Sequence, residues 1–506
     1  MLAFTVDGEA VEVRDDGASL LSTLRDRLGK RSPKDGCSPQ GQCGCCTVLV
    51  DGQPRVACVT PTRRVSGRTI TTLDGFDPAE QDRWASAFCS TGASQCGFCT
   101  PGIIVRLAGL EAKKPDAGTD DVHKALAAHL CRCTGWQTIT EAWQARENPA
   151  DSSNAEAGAQ RASIEGRTPQ QVAPAVALGN GGFADDLAPD DALVAVRRAD
   201  GEWIVGETVH QANEAAGKIQ GRRTTLEPVH PLELPEGDWA ATLQTSWVEP
   251  AYLETDAAWA RPGEPAVSPL ANGGAFGAKL SSPVTEVAER LATEHGRPVR
   301  VLFSREDAIR LGPKRPPIAA GMRPDGTGVL RVVATPGIDE AITAVAPGLA
   351  IEHVTVPGEL TTSADVRGAG WVEAIALATL ARGTNERVTL PEGGWAEATI
   401  RDDGSLHIVV GAGEVLDPVV LRSYCIGAAH MATSMAMSES ITVNEAGLVQ
   451  DLTIRSLGIM RASDMPFVTV EIAPEDGPSV NGSDAVFAAV AAATSLAHQA
   501  TVWPMS

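Results

Sequence analysis

Apolar and polar positions alternate through AFTVDGEAVEV, residues 3–13, around a central Asp7-Gly8. A period of two marks a half-buried strand, and Asp-Gly between two such runs marks a tight hairpin turn. Leu20, Leu21, Leu24 and Leu28 then fall on one helical face, with Ser19 placed to cap the helix and Gly29 to end it. TVLVDGQPRVACV repeats the hairpin pattern around Asp51-Gly52. Two hairpins, one helix and an intervening loop predict a small α+β unit over residues 1–75.

The period then changes. PAEQDRWASAFC, PGIIVRLAGLEA, DDVHKALAAHL and TITEAWQARE each carry apolar residues at helical spacing, and Pro101 suits a first helical position. Residues 76–147 therefore predict a four-helix bundle. Residues 148–175 are polar, with Ala, Ser, Gly and Pro and little apolar periodicity, which predicts a linker. From 176 to 506, short strand patterns, Gly/Pro turns and a few helices such as SPVTEVAERLATEHG predict a larger α+β region without a fixed repeat.

Composition narrows the function classes. The 506 residues are 43% hydrophobic and 21% charged, with a net charge of -22 that no basic stripe offsets. Such a chain is a poor partner for nucleic acid or an anionic membrane. MLAFTVDGEA has no basic region followed by an apolar core, and no apolar run is long enough to span a bilayer, so the expected location is cytoplasmic.

Ten of the eleven cysteines lie between Cys37 and Cys133, with Cys425 alone beyond them. In a reducing compartment such clustering points to metal or redox chemistry rather than disulfides. Cys37, Cys43, Cys46 and Cys58 form a first set, surrounded by Gly36, Gly41 and Gly44. Small residues let backbone N–H groups point at the sulfurs of an iron–sulfur core. The spacing is near the plant-type C-x4-C-x2-C, with one more residue in the first gap. Cys45 is an extra thiol, expected to face away from the cluster. The second set is Cys96 and Cys99 in QCGFCTPG with Cys131 and Cys133 in LCRCTGW. Four cysteines could equally hold a structural zinc. Cys89 and Cys425 read as core thiols, and the nine histidines, without paired metal spacing, as surface or capping residues. In the back half, NGGAFGAK (Asn272 to Lys279) is either a plain turn or a backbone able to approach a phosphate or pterin. No phosphate-loop or dinucleotide fingerprint appears.

GQCGCCTV, QCGFCTPG and LCRCTGW together resemble the double [2Fe-2S] subunit of the molybdenum hydroxylases, the xanthine dehydrogenase, aldehyde oxidase and carbon monoxide dehydrogenase group. The resemblance covers about residues 1–145. It implies a β-grasp, plant-type ferredoxin domain and a helical bundle, each holding one [2Fe-2S] cluster on the two cysteine sets, and it favours iron over zinc. It also implies that Gln95 touches the pterin of a molybdenum cofactor. GGFADDLAPDDALVAV (181–196), EPAYLETDAAWA (249–260), GGAFGAK (273–279), GRPVRVLFSRED (296–307), DVRGAGWVEAIA (365–376), GEVLDPVVLRSYCIGAAH (413–430) and NGSDAVFAAVAAA (481–493) occur in the order of the family's molybdopterin-binding subunit. That looser resemblance implies a shortened molybdopterin-binding-like domain over 176–506. Gly274, Phe276 and Gly277 would face the cofactor, Arg367 would lie near the metal, and Tyr252 to Glu254 would line the approach. The chain departs from the pattern in two places. The segment between Gly383 and Gly394 is nearly empty where the family has a Gly-Gln-Gly loop. Ser483 stands where the family has its general-base glutamate, with Asp484 beside it as the candidate substitute. A serine hydroxyl is no base near neutral pH without an activating partner.

Two readings follow. In one, the chain is a compact enzyme that oxidises an aldehyde or N-heterocycle at molybdopterin and passes the electrons through both clusters. In the other, it is an iron–sulfur electron carrier whose back half is a docking scaffold for a separate molybdenum subunit. In either, no FAD site is read in this chain, so a separate FAD-binding subunit is expected to accept the electrons.

Overall fold

A computed structural model describes residues 1–150, 154–218, 224–268 and 274–505. Strand β1 (Leu2–Val6) pairs antiparallel with β2 (Glu9–Val13), and β3 (Thr47–Val50) with β4 (Gln53–Val56). The short β5 (Thr69–Thr71) runs parallel to β1 and antiparallel to β3, giving the order β2-β1-β5-β3-β4. Both turns use the left-handed region at two successive residues: Asp7 and Gly8 at φ 51° and 85°, Asp51 and Gly52 at 48° and 72°. That geometry matches the twist of the strands it joins. Ser19 caps α1 (Leu20–Ser22), its Oγ accepting from the Ser22 N–H at 3.2 Å, and the helix widens over Thr23–Arg27. Leu20, Leu21 and Leu24 are buried in the core shared with the strands. The unit is a β-grasp.

The bundle has the four expected helices: α2 (Pro78–Thr91), α3 (Thr100–Glu111), α4 (Thr119–Leu126) and α5 (Gln137–Ala145). Asp77 caps α2 by accepting from the Ala79 N–H at 2.9 Å, and Gly92 ends it at φ 69°. Trp84 and Trp143 pack at 6.2 Å, and the Trp143 indole donates to the Ala117 carbonyl. Helix α3 lies directly on the first unit. A Cβ on Gly102 would sit 2.4 Å from the Gly44 carbonyl oxygen, and one on Gly109 would sit 2.3 Å from the Pro54 ring. The two glycines are seven residues apart, hence on one helical face. They let the helix backbone approach where any side chain would hold it off.

The predicted linker is not one. Residues 155–166 form helix α6 (Ala155–Gly166), with Asn154 as its cap. Its polar face is buried rather than solvated. Arg161 and Glu165 are fully enclosed and bonded to each other at 2.9 Å, and Arg161 also donates to the carbonyls of Val415 and Val480. Paired buried charge does not register as apolar periodicity, so composition alone pointed the wrong way. Residues 151–153 of that segment lie outside the described residues.

Beyond it, the described residues of the back half form three open sheets. One contains Leu193–Arg197 and Val299–Leu302, one Ile318–Met322 and Gly328–Val333, and one Trp395–Ile400 and Leu406–Gly411. Helix Val284–His295 forms as expected, closed by Gly296 at φ 63°. Helix Ser483–His498 packs against both Trp371–Arg382 and Pro418–Met437. It is alanine-rich and buried from Ser483 to Ser495, since small side chains allow close helix contact. Among the described residues no helix is long and apolar enough to cross a membrane. The reading of the histidines as surface or capping residues fails at two positions. His129 and His430 are buried, His129 bonded to Thr47 Oγ1 at 3.2 Å and His430 to the Met460 carbonyl at 3.0 Å.

Candidate metal centres

The first cysteine set comes from the loop between α1 and β3 and from the turn after β4. Cys37, Cys43, Cys46 and Cys58 are all buried, and all are free thiols. The Cys37 sulfur contacts those of Cys43 and Cys58, and Cys58 contacts Cys46. Backbone donors point at these sulfurs: Gln40 N–H at Cys37 Sγ, 3.1 Å, and Cys58 N–H at Cys46 Sγ, 3.4 Å. Contact with Cys43 and Cys58 holds Cys37 well below the ordinary thiol range. The same sulfur contacts push Cys43 and Cys58 above that range. The glycines are sterically required. A Cβ on Gly44, at φ 75°, would fall 2.4 Å from the His129 ring, which burial keeps neutral with its pKa lowered to about 3.

In the second set, Cys96 and Cys133 have their sulfurs 3.6 Å apart, and Cys99 contacts Cys131. Thr134 Oγ1 lies 3.1 Å from the Cys131 sulfur. The Cys99 contact, aided by Thr134 and outweighing burial, brings Cys131 down to about 6. Two sulfur pairs suit a two-iron core in which each iron takes two thiolates. A tetrahedral zinc instead needs its ligands around one point. Among the described residues no three His, Cys, Asp or Glu side chains are so arranged. The two sets are joined by a short route: the Leu130 N–H, adjacent to Cys131, donates to the Cys43 carbonyl at 2.9 Å.

Cys45 is fully buried, with its sulfur 3.8 Å from the Cys43 carbonyl oxygen. Cys89 and Cys425 are buried, and burial alone raises the Cys89 thiol to about 11.

The back half grips both cysteine loops. The Gln40 side chain donates to the Leu452 carbonyl at 2.8 Å and accepts from the Ile454 N–H at 3.1 Å. Arg305 donates to the Gly36 carbonyl at 2.7 Å, and Arg455 to that of Gln42 at 3.0 Å. Arg132, between the second pair of ligands, is buried against Glu439 at 2.9 Å. Helix Pro418–Met437 meets the same loop at Gly427, where a Cβ would lie 1.7 Å from the Cys133 carbonyl oxygen. None of these grips carries a motif; the lone glycines inside helical patterns, Gly102 and Gly427, were the available signal.

The residues expected around molybdenum are brought near one another but packed shut. Gly274 lies against the second cysteine set, where its Cβ would be 3.0 Å from Cys133 Sγ and 3.5 Å from Cys96 Sγ. Gly277 faces the chain itself: its Cβ would be 1.9 Å from the Asp365 carbonyl oxygen. Phe276 stacks under the Arg367 guanidinium at 4.7 Å. Arg367 donates to Asp484 Oδ1 at 2.8 Å and to Ser483 Oγ at 2.6 Å, and Asp484 also receives Arg167. Tyr252 bonds Asp256 at 3.1 Å, and Glu254 is paired with Lys279 at 2.8 Å. Gln95 donates to the Cys133 carbonyl and to Ser423 Oγ, while its own Oε1 is buried without a partner. The voids here measure about 10 Å³ beside Gly274 and Cys96, and about 20 Å³ beside Phe276 and Arg367. Each holds about one water, whereas a bound cofactor occupies some hundreds of Å³. A molybdopterin does not fit among these side chains as they stand. Asn272 and Gly273 of the glycine run lie outside the described residues.

Residues 72–144 match the [2Fe-2S] binding domain family. The chain is 38% identical over 139 residues to the xanthine dehydrogenase iron-sulfur-binding subunit of Escherichia coli, covering 27% of this chain and 86% of that protein. It is 38% identical over 136 residues to the nicotinate dehydrogenase small FeS subunit of Eubacterium barkeri, covering 26% of this chain and 86% of that protein. In structure it is similar along 97% of its length to the aldehyde oxidoreductase from Desulfovibrio desulfuricans, covering 96% of that chain with a TM-score of 0.70 at 15% identity. That likeness shows the fold of the back half.

Proposed function

Because the chain belongs to the molybdenum hydroxylase family, we propose that it serves as the iron–sulfur electron-transfer component of such an oxidoreductase, the oxidation itself taking place at molybdenum held by a separate chain. Each [2Fe-2S] cluster, when bound, supplies one-electron chemistry without a proton. The chain's own part is to hold and space the two sites. Cys37, Cys43, Cys46 and Cys58 would hold one cluster, and Cys96, Cys99, Cys131 and Cys133 the other. The Leu130–Cys43 hydrogen bond shortens the path between them, and Gln40, Arg305, Arg455 and Arg132 fix the cysteine loops on the back half.

The observation that carries this reading is the Arg367–Asp484–Ser483 network. It occupies the residues that the family resemblance assigns to the metal's surroundings and its general base. Asp484 is committed to two arginines, and Ser483 accepts from one of them. The back half is then a scaffold on which a molybdenum subunit docks, with an aldehyde or N-heterocycle as that subunit's substrate and a FAD-binding subunit as acceptor. Two sequence relatives are by name iron–sulfur subunits.

One observation favours the fused enzyme instead: the unpartnered Gln95 Oε1 lies where the family resemblance places a pterin contact. Metal analysis of anaerobically purified protein separates the two. Four irons per chain without molybdenum supports the electron carrier; four irons with about one molybdenum returns the chemistry to this chain.

A further inference from the structure

A cavity of about 310 Å³ lies where α1 of the first unit faces strands Leu193–Arg197 and Val299–Leu302 of the back half. Nothing in the cluster assignments uses it, yet it borders both cysteine loops. Cys58 of the first set is in its wall, and so is Phe98, which stands between Cys96 and Cys99 of the second. Leu21, Val196, Leu302 and Phe303 make much of the rest apolar, and Phe98 meets Phe183 edge to face with centroids 5.1 Å apart. The volume is at the lower end of small-molecule sites, about 300–1,000 Å³. It admits one flat aromatic compound of a few rings and is too small for a dinucleotide.

Charge decides which compound. Every Arg and Lys in the wall is already paired: Arg25 with Asp185 at 2.6 Å and Asp186 at 2.7 Å, Lys34 with Asp186, and Lys218 with Asp307 at 2.9 Å. An anion would have to break one of these pairs. The carboxylates of Asp26 and Glu254 are paired likewise, with Arg300 and with Lys279. Asp35 differs. It is half-buried, its Oδ1 accepts the Ser38 N–H at 2.8 Å, and it has no basic partner among the described residues. A carboxylate in such a wall gains from a cationic guest, whose charge it meets at low dielectric. We propose that the cavity binds a small, planar, cationic heteroaromatic compound, with Asp35 as its counter-ion, and that this compound drains electrons from the clusters. The guest takes two electrons, one from each cluster, and one proton from solvent. It leaves as the neutral, reduced molecule, no longer held by Asp35. No bond to the protein is made or broken.

The redox step rests on the two-cluster reading; the binding step does not, and the experiment reads them separately. The probe is methylene blue, a phenothiazinium cation, and dichlorophenolindophenol, a planar anion that also takes two electrons, is the control. Wild type, Asp35→Asn and Val209→Trp are compared, with iron content and melting temperature recorded alongside. Val209, on the back-half helix Val209–Ala215, lines the cavity, and a tryptophan there fills it. Equilibrium dialysis against the oxidised chain should show one saturable site for methylene blue. Binding should weaken about tenfold in Asp35→Asn and more in Val209→Trp. After stoichiometric reduction of the chain with dithionite, the rate of methylene blue bleaching should saturate with dye concentration. Bleaching of the anion should rise linearly and ignore Asp35→Asn. Absence of a saturable site, or binding that neither variant weakens, overturns the proposal. Saturable binding without saturable bleaching overturns its redox step. Saturable binding to a chain without iron overturns the cluster reading and the redox step together, and leaves the binding step supported.

Discussion

The Leu130 amide donates to the Cys43 carbonyl across 2.9 Å, tying the residue before Cys131 to a ligand of the other cysteine set. This bond exists because α3 packs at backbone distance on the first unit. Gly102→Val should break that approach, since even its Cβ would meet the Gly44 carbonyl oxygen at 2.4 Å. Overpacking of this kind costs about 1–3 kcal/mol. The expected outcome is a lower denaturation midpoint together with weaker magnetic interaction between the two reduced clusters. Unchanged interaction would detach the helix approach from the electron route.

Removal of one ligand should cost one cluster and leave the other. Cys37→Ala and Cys133→Ala should each lose about half of the iron and of the visible absorbance, with different paramagnetic signals surviving. Loss of all iron from either variant would mean that the two sets are not separate sites.

Arg132 and Glu439 join the second cysteine loop to the back half, and both are almost completely buried. Truncating one partner leaves an uncompensated buried charge. Arg132→Met should therefore destabilise the chain by about 3–5 kcal/mol, and Arg132→Met with Glu439→Leu should recover most of that. Denaturant titration of the three variants checks this; a double variant no better than the single would place the cost in lost packing.

Acid should weaken the fold through two histidines. Burial lowers His430 to about 4 and His129 to about 3. The unfolded chain binds these protons near the ordinary imidazole value of about 6.5, while the folded chain refuses them. Stability is therefore complete above about 6.5 and falls with pH, on the order of 1.4 kcal/mol per unit for each histidine. The loss levels off near 4 for His430 and near 3 for His129. Denaturation midpoints between pH 7 and 4.5 should show this slope, and His430→Gln should reduce it by about one proton's worth. An unaltered slope in that variant would assign the acid response to other groups.

The front of the chain is legible from sequence because its instructions are local. Asp7-Gly8 and Asp51-Gly52 demand hairpin turns, Ser19 and Asp77 cap the helices that follow them, and the four helical patterns each form a helix. The eight cysteines announce themselves by spacing. Helix α6 was illegible because its burial is of paired charge, Arg161 with Glu165, and a polar residue carries no mark of whether its partner will be water or protein.

By itself, then, the sequence singled out the thiols expected to bind iron and determined which local elements present them, since turn and cap preferences act within a few residues. Only the tertiary structure decided what becomes of the back half. Arg367 is separated from Ser483 and Asp484 by more than a hundred residues of chain, and their role depends on whether packing leaves a cavity among them or closes it. Here it closes, because a buried guanidinium needs its hydrogen bonds satisfied and finds them in Ser483 and Asp484.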